Sequence, residues 1–212
     1  MGSSPARGTK CLKMVVSHRF KCIFIHIPKT GGVSICQTLA ENGIPSDYYT
    51  LDHEPIRIAY EFLAVCKKEM KEYFSFCFVR NPWDRFVSAY NFLLKGGRNE
   101  QDKEQRDEFI TPYKTFNDFV CNLNNTNALR QPHFRPQVEF IDEDINYIGR
   151  FENLNKDFDT VCKKVGILRK LTLKHLNKAS HEPYQTYYTG KTEKIIHDAY
   201  KRDVDRFNYS FV

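Results

Sequence analysis

Lys21-Cys22-Ile23-Phe24-Ile25-His26-Ile27-Pro28-Lys29-Thr30-Gly31-Gly32-Val33-Ser34 is the stretch on which the fold turns. Residues 22–27 are a nearly continuous apolar run, the pattern of a strand buried on both faces, and Pro28 with the Gly31-Gly32 pair stops it. From Val33 onward the period changes. Val33, Cys36, Leu39 and Ala40 recur at helical spacing, and Asn42-Gly43 closes that helix. Strand, glycine loop and helix thus follow one another without a break.

The same alternation returns twice. A strand is expected at 48–51, followed by a helix that Asp52-His53-Glu54-Pro55 opens and that carries Ile56, Ala59, Phe62, Leu63 and Cys66 to about Lys71. A further buried strand at 74–79 ends at Arg80-Asn81-Pro82. Residues 83–94 then show helical spacing through Phe86, Ala89, Tyr90 and Leu93. Three such units predict an α/β fold with a central, mostly parallel sheet flanked by helices and with ligands at the carboxyl ends of the strands. Beyond them, residues 96–107 are charged and without period and read as an exposed loop or mobile flap. Thr115 with Asp118 reads as a capping box that opens a short helix through Leu123. Residues 138–141 and 145–148 read as short strands, Asn155 as the cap of a helix running to Val165 and stopped by Gly166, and Thr192 as the start of a helix carrying Ile196, Ala199, Tyr200 and Phe207.

With 212 residues, 41% hydrophobic and 14% aromatic, the chain can fill one core and not two, so 19–212 reads as a single domain and 1–18 as a tail. No apolar stretch approaches the roughly 20 residues of a membrane span, and the first residues lack the apolar segment of a secretory signal. Thirty-two Lys and Arg against 26 Asp and Glu give a formal charge of +6, which favours an anionic ligand. The basic residues are interspersed with acids, as in KKEMKEY and NEQDKEQRDE, which argues against nucleic acid. The cysteines, seven in number, include no Cys-x-x-Cys pair and read as buried thiols in a reducing compartment, with no metal site.

In the glycine loop, two glycines let the main chain approach a ligand, the start of a helix presents N–H groups, and Lys29, Thr30 and Ser34 add a cation and two hydroxyls. This is an oxyanion cradle, though an ordinary glycine turn with a surface lysine would read the same. Lys29 precedes the glycines, whereas the nucleoside-triphosphatase loop places its lysine after them. The second motif runs from Arg80 to Ser88. A guanidinium at the end of a buried strand and a hydroxyl two turns into the next helix can share one phosphate. Alternatively Arg85 and Asp84 form a surface charge pair and Ser88 is a small packing residue.

In this order, each after a predicted strand, the two motifs resemble those of the sulfotransferases that use 3'-phosphoadenosine-5'-phosphosulfate, PAPS. The resemblance implies that Lys29, Thr30, Gly31, Gly32, Val33 and Ser34 hold the 5'-phosphosulfate and that Arg80 and Ser88 hold the 3'-phosphate, with Asn177 and Ser180 assisting. It is closest to the carbohydrate branch, through Gly149-Arg150-Phe151-Glu152-Asn153-Leu154, the segment 177–181, Tyr200 to Asp203, and Phe207 to Tyr209. It further implies a P-loop-like three-layer fold, PAPS as donor and PAP as product, a hydroxyl-bearing acceptor that is a carbohydrate, and no metal. The cytoplasm is the default compartment, and the Golgi lumen the alternative if the chain is a piece of an anchored enzyme. A P-loop-type kinase and a non-catalytic binder of nucleotide or sulfated glycan are the rival readings.

In-line transfer of a sulfuryl group needs a base at the acceptor, positive charge at the departing oxygen and N–H donors around the sulfuryl oxygens. Lys29 is the candidate for the charge. His53 is the candidate base and Glu54 its alternative, although 52–55 also read as a plain helix start. His133, Arg135 and Gln137 are expected on the acceptor side, where a surface turn would look similar. His26, inside its strand, reads as a core histidine.

Overall fold

The two most apolar runs of the sequence pair directly with each other. The computed structural model describes residues 14–42, 48–49, 72–141, 144–173 and 182–212. Its strands are β1 Met14–Ser17, β2 Cys22–Ile25, β3 Tyr48–Tyr49, β4 Phe74–Val79 and β5 Tyr147–Arg150, joined in one sheet of order β3-β1-β2-β4-β5. β2 runs parallel to β4, with Ile25 opposite Cys77, and β4 runs parallel to β5, with Val79 opposite Arg150. β1 is antiparallel to both β2 and β3. Two reversals restore the direction, so β3 points the same way as β2, and β2, β3, β4 and β5 all end at one edge of the sheet.

The helices are α1 Gly32–Glu41, α2 Pro82–Leu94, α3 Glu100–Phe109, α4 Phe116–Cys121, α5 Leu154–Lys164, α6 Gly190–Ala199 and α7 Lys201–Phe207. Alternation along the strands sorts them into layers. Cys22, Phe24, Phe76 and Phe78 face Ile35, Cys36 and Leu39 of α1 and Phe158, Val161 and Cys162 of α5. Ile23, Ile25, Cys77 and Val79 face the other way, onto Val138, Phe140, Ile141 and Phe207. Both faces of the central strands are therefore covered, as a continuous apolar run requires. A separate aromatic cluster anchors α2: the Phe86 ring lies 4.9 Å from Phe134 and 5.7 Å from Phe119, with Phe116 and Tyr200 around it.

Several expectations are corrected. Residues 14–17, assigned to the tail, form β1, because Met14-Val15-Val16 turns back onto β2 through 18–21. The first residues of the expected strand at 48–51 form β3, an antiparallel neighbour of β1. Residues 100–107, expected to be loop, belong to α3. Its inward residues Asp102, Gln105 and Phe109 are mostly polar, so no apolar period marks it. Most of the strand expected at 138–141 is instead part of a 3-10 turn, Gln137–Phe140, because the Asp203 carboxylate accepts from the main-chain N–H groups of Gln137 and Val138 at 2.8 and 2.9 Å. The following strand lies two residues later than expected, at Tyr147–Arg150. Near the end, Thr189 rather than Thr192 caps α6, and Thr192 completes the capping box from inside the helix.

Cys22, Cys77 and Cys162 are buried free thiols, Cys36 is buried and Cys121 is exposed. Burial pushes the Cys22 thiol up to about 12 and the Cys162 thiol up to about 11, which keeps both protonated. Among the described residues no helix is long and apolar enough to cross a membrane.

Because Phe86 is the common neighbour of four rings, Phe86→Ala is expected to destabilise the fold by about 3–5 kcal/mol. The check is urea unfolding, where the midpoint should fall at an unchanged slope.

Candidate active site

The glycine loop leaves β2 and turns through two residues with left-handed backbone, Lys29 at φ 70° and Gly31 at φ 86°. For lysine this conformation costs about 1 kcal/mol or more. Thr30 Oγ1 donates to the Ile27 carbonyl at 2.8 Å and closes the turn from inside. At Gly31 and Gly32 the main chain passes its neighbours too closely for any side chain. A Cβ on Gly32 would lie 2.0 Å from His26 Cδ2, and one on Gly31 would lie 2.8 Å from Leu154 Cδ2. The Gly31 carbonyl accepts from Ser34 N and Ile35 N, which starts α1. Among the described residues no side chain caps that start and no acid lies in its first turn, whereas α2, α3, α4 and α6 each have both. The positive end of α1 therefore has neither a capping side chain from its own N-cap nor an acid of its own first turn.

Arg80 emerges from β4 one residue beyond its pairing with β5, at the same edge. Its main chain is held by the Gln137 side chain: Arg80 N donates to Gln137 Oε1 and Gln137 Nε2 donates to the Arg80 carbonyl, both at 2.9 Å. Its guanidinium lies 4.2 Å from the Phe151 ring, donates from Nε to Asp84 Oδ2 at 2.7 Å, and donates from Nη1 to the Lys29 carbonyl at 3.1 Å. The two motifs found in the sequence are therefore joined by a direct hydrogen bond. The next residue is fixed as firmly. Asn81 N donates to Glu152 Oε1, its side-chain amide donates to the Ser210 carbonyl, and its Oδ1 caps α2. Tyr209 completes the ring of contacts by donating to the other oxygen of Glu152.

Behind this edge lies Arg85, only 1% exposed. It does not pair with Asp84 at the surface, since that carboxylate bonds Arg80. Its Nη1 donates to the carbonyls of Pro28 and His133 and its Nη2 to that of Arg135, so one guanidinium ties the glycine loop to the 133–135 segment. Burial pulls the Arg85 pKa down while Tyr200 and Asp203 push it up. Burial raises that of Asp203, opposed by Arg85.

The expected site residues fall into three groups. Lys29 to Ser34 and Arg80 come together at one edge, although the Thr30 hydroxyl is engaged inside the loop. Ser88 lies one turn beyond Asp84 on α2 and is buried. His133 and Arg135 are half-buried: His133 Nδ1 lies 3.1 Å from Gln105 Oε1, and Arg135 donates to the Arg130 carbonyl. Gln137 does not face an acceptor. It is 0% exposed, and its amide serves Arg80 and Asp203 instead. His53, Glu54, Asn177 and Ser180 lie outside the described residues. Sequence reading missed Arg85 as a structural cation. The available signal was its neighbours, since residues 86–94 contain no charge and a helix without a charged face is buried all round.

Residues 12–210 match the model of a family described as the sulfotransferase family. Two relatives are similar to the chain. Carbohydrate sulfotransferase 11 of Rattus norvegicus is 21% identical, with 93% of this chain and 67% of the relative covered. An uncharacterized protein of Archaeoglobus fulgidus is 29% identical over 121 residues, covering 57% of this chain and 90% of its own.

The contact between Gly32 and the His26 ring predicts that Gly32→Ala destabilises the protein by about 1–3 kcal/mol. At Gly190 a Cβ would meet nothing within 4 Å, so Gly190→Ala is expected to be neutral or stabilising by up to about 1 kcal/mol. Thermal unfolding of the two variants side by side checks both signs.

Proposed function

The chain belongs to the sulfotransferase family, and from that premise we propose that it transfers the sulfuryl group of PAPS to a hydroxyl of a carbohydrate acceptor. The observation that supports this reading best is the contact between the uncapped glycine turn and the Arg80 guanidinium at one sheet edge. A donor with two anionic groups suits such a surface. The N–H groups at the start of α1 and the Ser34 hydroxyl face the sulfuryl side, and Lys29 supplies positive charge where the bridging oxygen departs. Arg80 holds the 3'-phosphate, with Ser88 beside it on α2. Two of its five N–H donors serve Asp84 and Lys29. Asn177 and Ser180 assist on the strength of the resemblance.

His53 is the proposed base and Glu54 the alternative. The reading is supported by β3, which runs in the same direction as β2, the strand that leads into the glycine loop. In the step itself the base takes the proton of the acceptor hydroxyl, the hydroxyl oxygen bonds to sulfur, and the bond from sulfur to the phosphate oxygen breaks. PAP leaves with its new charge facing Lys29. Arg135 and His133 flank the acceptor side. The position of Lys29 ahead of the glycines speaks against a kinase of the P-loop type.

Calorimetric titration with PAPS, PAP and ATP with magnesium, followed by transfer of labelled sulfate onto a panel of sugars and small alcohols, tests the reading. PAPS and PAP are expected to bind in preference to ATP, and one sugar class to accept the label. Preferential binding of ATP would favour the kinase, and tight PAPS binding with no transfer would favour a binding protein. Lys29→Ala and Arg80→Ala are expected to weaken donor binding, while His53→Ala spares it and lowers turnover about 10²-fold or more. Unchanged turnover in His53→Ala would pass the role of base to Glu54.

A further inference from the structure

We propose that Phe92 is a positioning residue that holds the Lys29 ammonium at the mouth of the cradle, an inference that rests on the reading of Lys29 as the leaving-group cation. The Lys29 Nζ lies 4.0 Å from the centroid of the Phe92 ring, within cation–π range. Phe92 belongs to the last turn of α2 and packs on the aromatic cluster beneath it, so the ring is anchored in the core. It is also supported from the side. The His133 ring lies 5.1 Å from Phe92 at an interplanar angle of 35°. His133 in turn places Nδ1 3.1 Å from Gln105 Oε1 and Nε2 3.7 Å from Asp102 Oδ1, both buried on α3. The carbonyl of His133 accepts from Arg85, which also bonds the carbonyl of Pro28 next to Lys29. The lysine and the ring it faces are therefore fixed to one another by the main chain as well.

The choice of an aromatic face has a chemical reason. A carboxylate at that position would fix the ammonium and also neutralise it, so less charge would remain for the departing oxygen. A ring orients the ammonium through its quadrupole and brings no formal negative charge of its own. A lysine otherwise samples many rotamers, and restricting them before the reaction lowers the barrier without adding a bond. The effect belongs to turnover more than to donor affinity.

The test has two arms on the full chain. In the first, Phe92 is replaced site-specifically by mono-, di- and trifluorophenylalanine, which weaken the ring face stepwise at nearly constant size. The expected result is a stepwise fall in kcat, reaching about 2- to 30-fold in Phe92→Leu, with the KM for PAPS moving less and Phe92→Tyr close to the parent. The second arm needs no donor or acceptor. Lysines are reductively methylated with ¹³C, the Lys29 signal is identified by its loss in Lys29→Arg, and its ring-current displacement is expected to vanish in Phe92→Leu. A flat kcat across the fluorinated series, or a Lys29 signal indifferent to Phe92→Leu, overturns the proposal. If the unsubstituted chain moves no sulfate, the functional reading fails and the spectroscopic arm alone decides whether Phe92 holds Lys29.

Discussion

Two hydrogen bonds between the Gln137 amide and the main chain of Arg80 continue the sheet one step past the end of β4, with a side chain standing in for a strand. A strand end that enters a ligand site normally loses its ladder partner, and a buried main-chain group left unpaired costs about 1–3 kcal/mol. Gln137 removes that cost and at the same time fixes where the guanidinium of Arg80 begins. It is itself held by Asp203, which accepts from its N–H and from that of Val138. Asp203 stands on α7, which is packed onto the sheet through Phe207. The position of Arg80 is thus determined by a residue more than a hundred positions later in the chain.

Arg85 shows what such an arrangement requires energetically. Removing a guanidinium from water costs several kcal/mol, and here the compensation comes from three carbonyls, while its Nε has no hydrogen-bond partner among the described residues. A methionine of similar length would fill the space with no charge to desolvate. What it could not do is bond Pro28, His133 and Arg135 at once, and those carbonyls lie on the two loops that border the proposed site. We read the buried charge as serving the geometry of the loops more than the stability of the core.

The readable parts of the sequence were those in which one physical cause dominates. β2 and β4 stand out because burial on both faces leaves Ser75 as their one polar residue, and the glycine loop stands out because only glycine tolerates the approach of His26 and Leu154. α3 was unreadable for the opposite reason. Apart from Phe109 its inward face is Asp102 and Gln105, which turn toward His133, so the helix lacks the apolar stripe that would have announced it. Residues 138–141 look like a strand by their apolar positions, and the side chain that overrules the count is Asp203, remote in sequence. The cation–π contact of Lys29 with Phe92 was hidden in the same way, since it joins two residues about sixty positions apart. Local chemistry was legible, and polar contacts between distant segments were not.

The bond from Asn81 to the Ser210 carbonyl and the one from Tyr209 to Glu152 span 129 and 57 residues. During synthesis, the segment around Asn81 leaves the ribosome long before either partner exists. The edge of the sheet proposed to meet the donor therefore gains these two bonds only once residues 209 and 210 have been made, and a nascent chain that stops short of them lacks both.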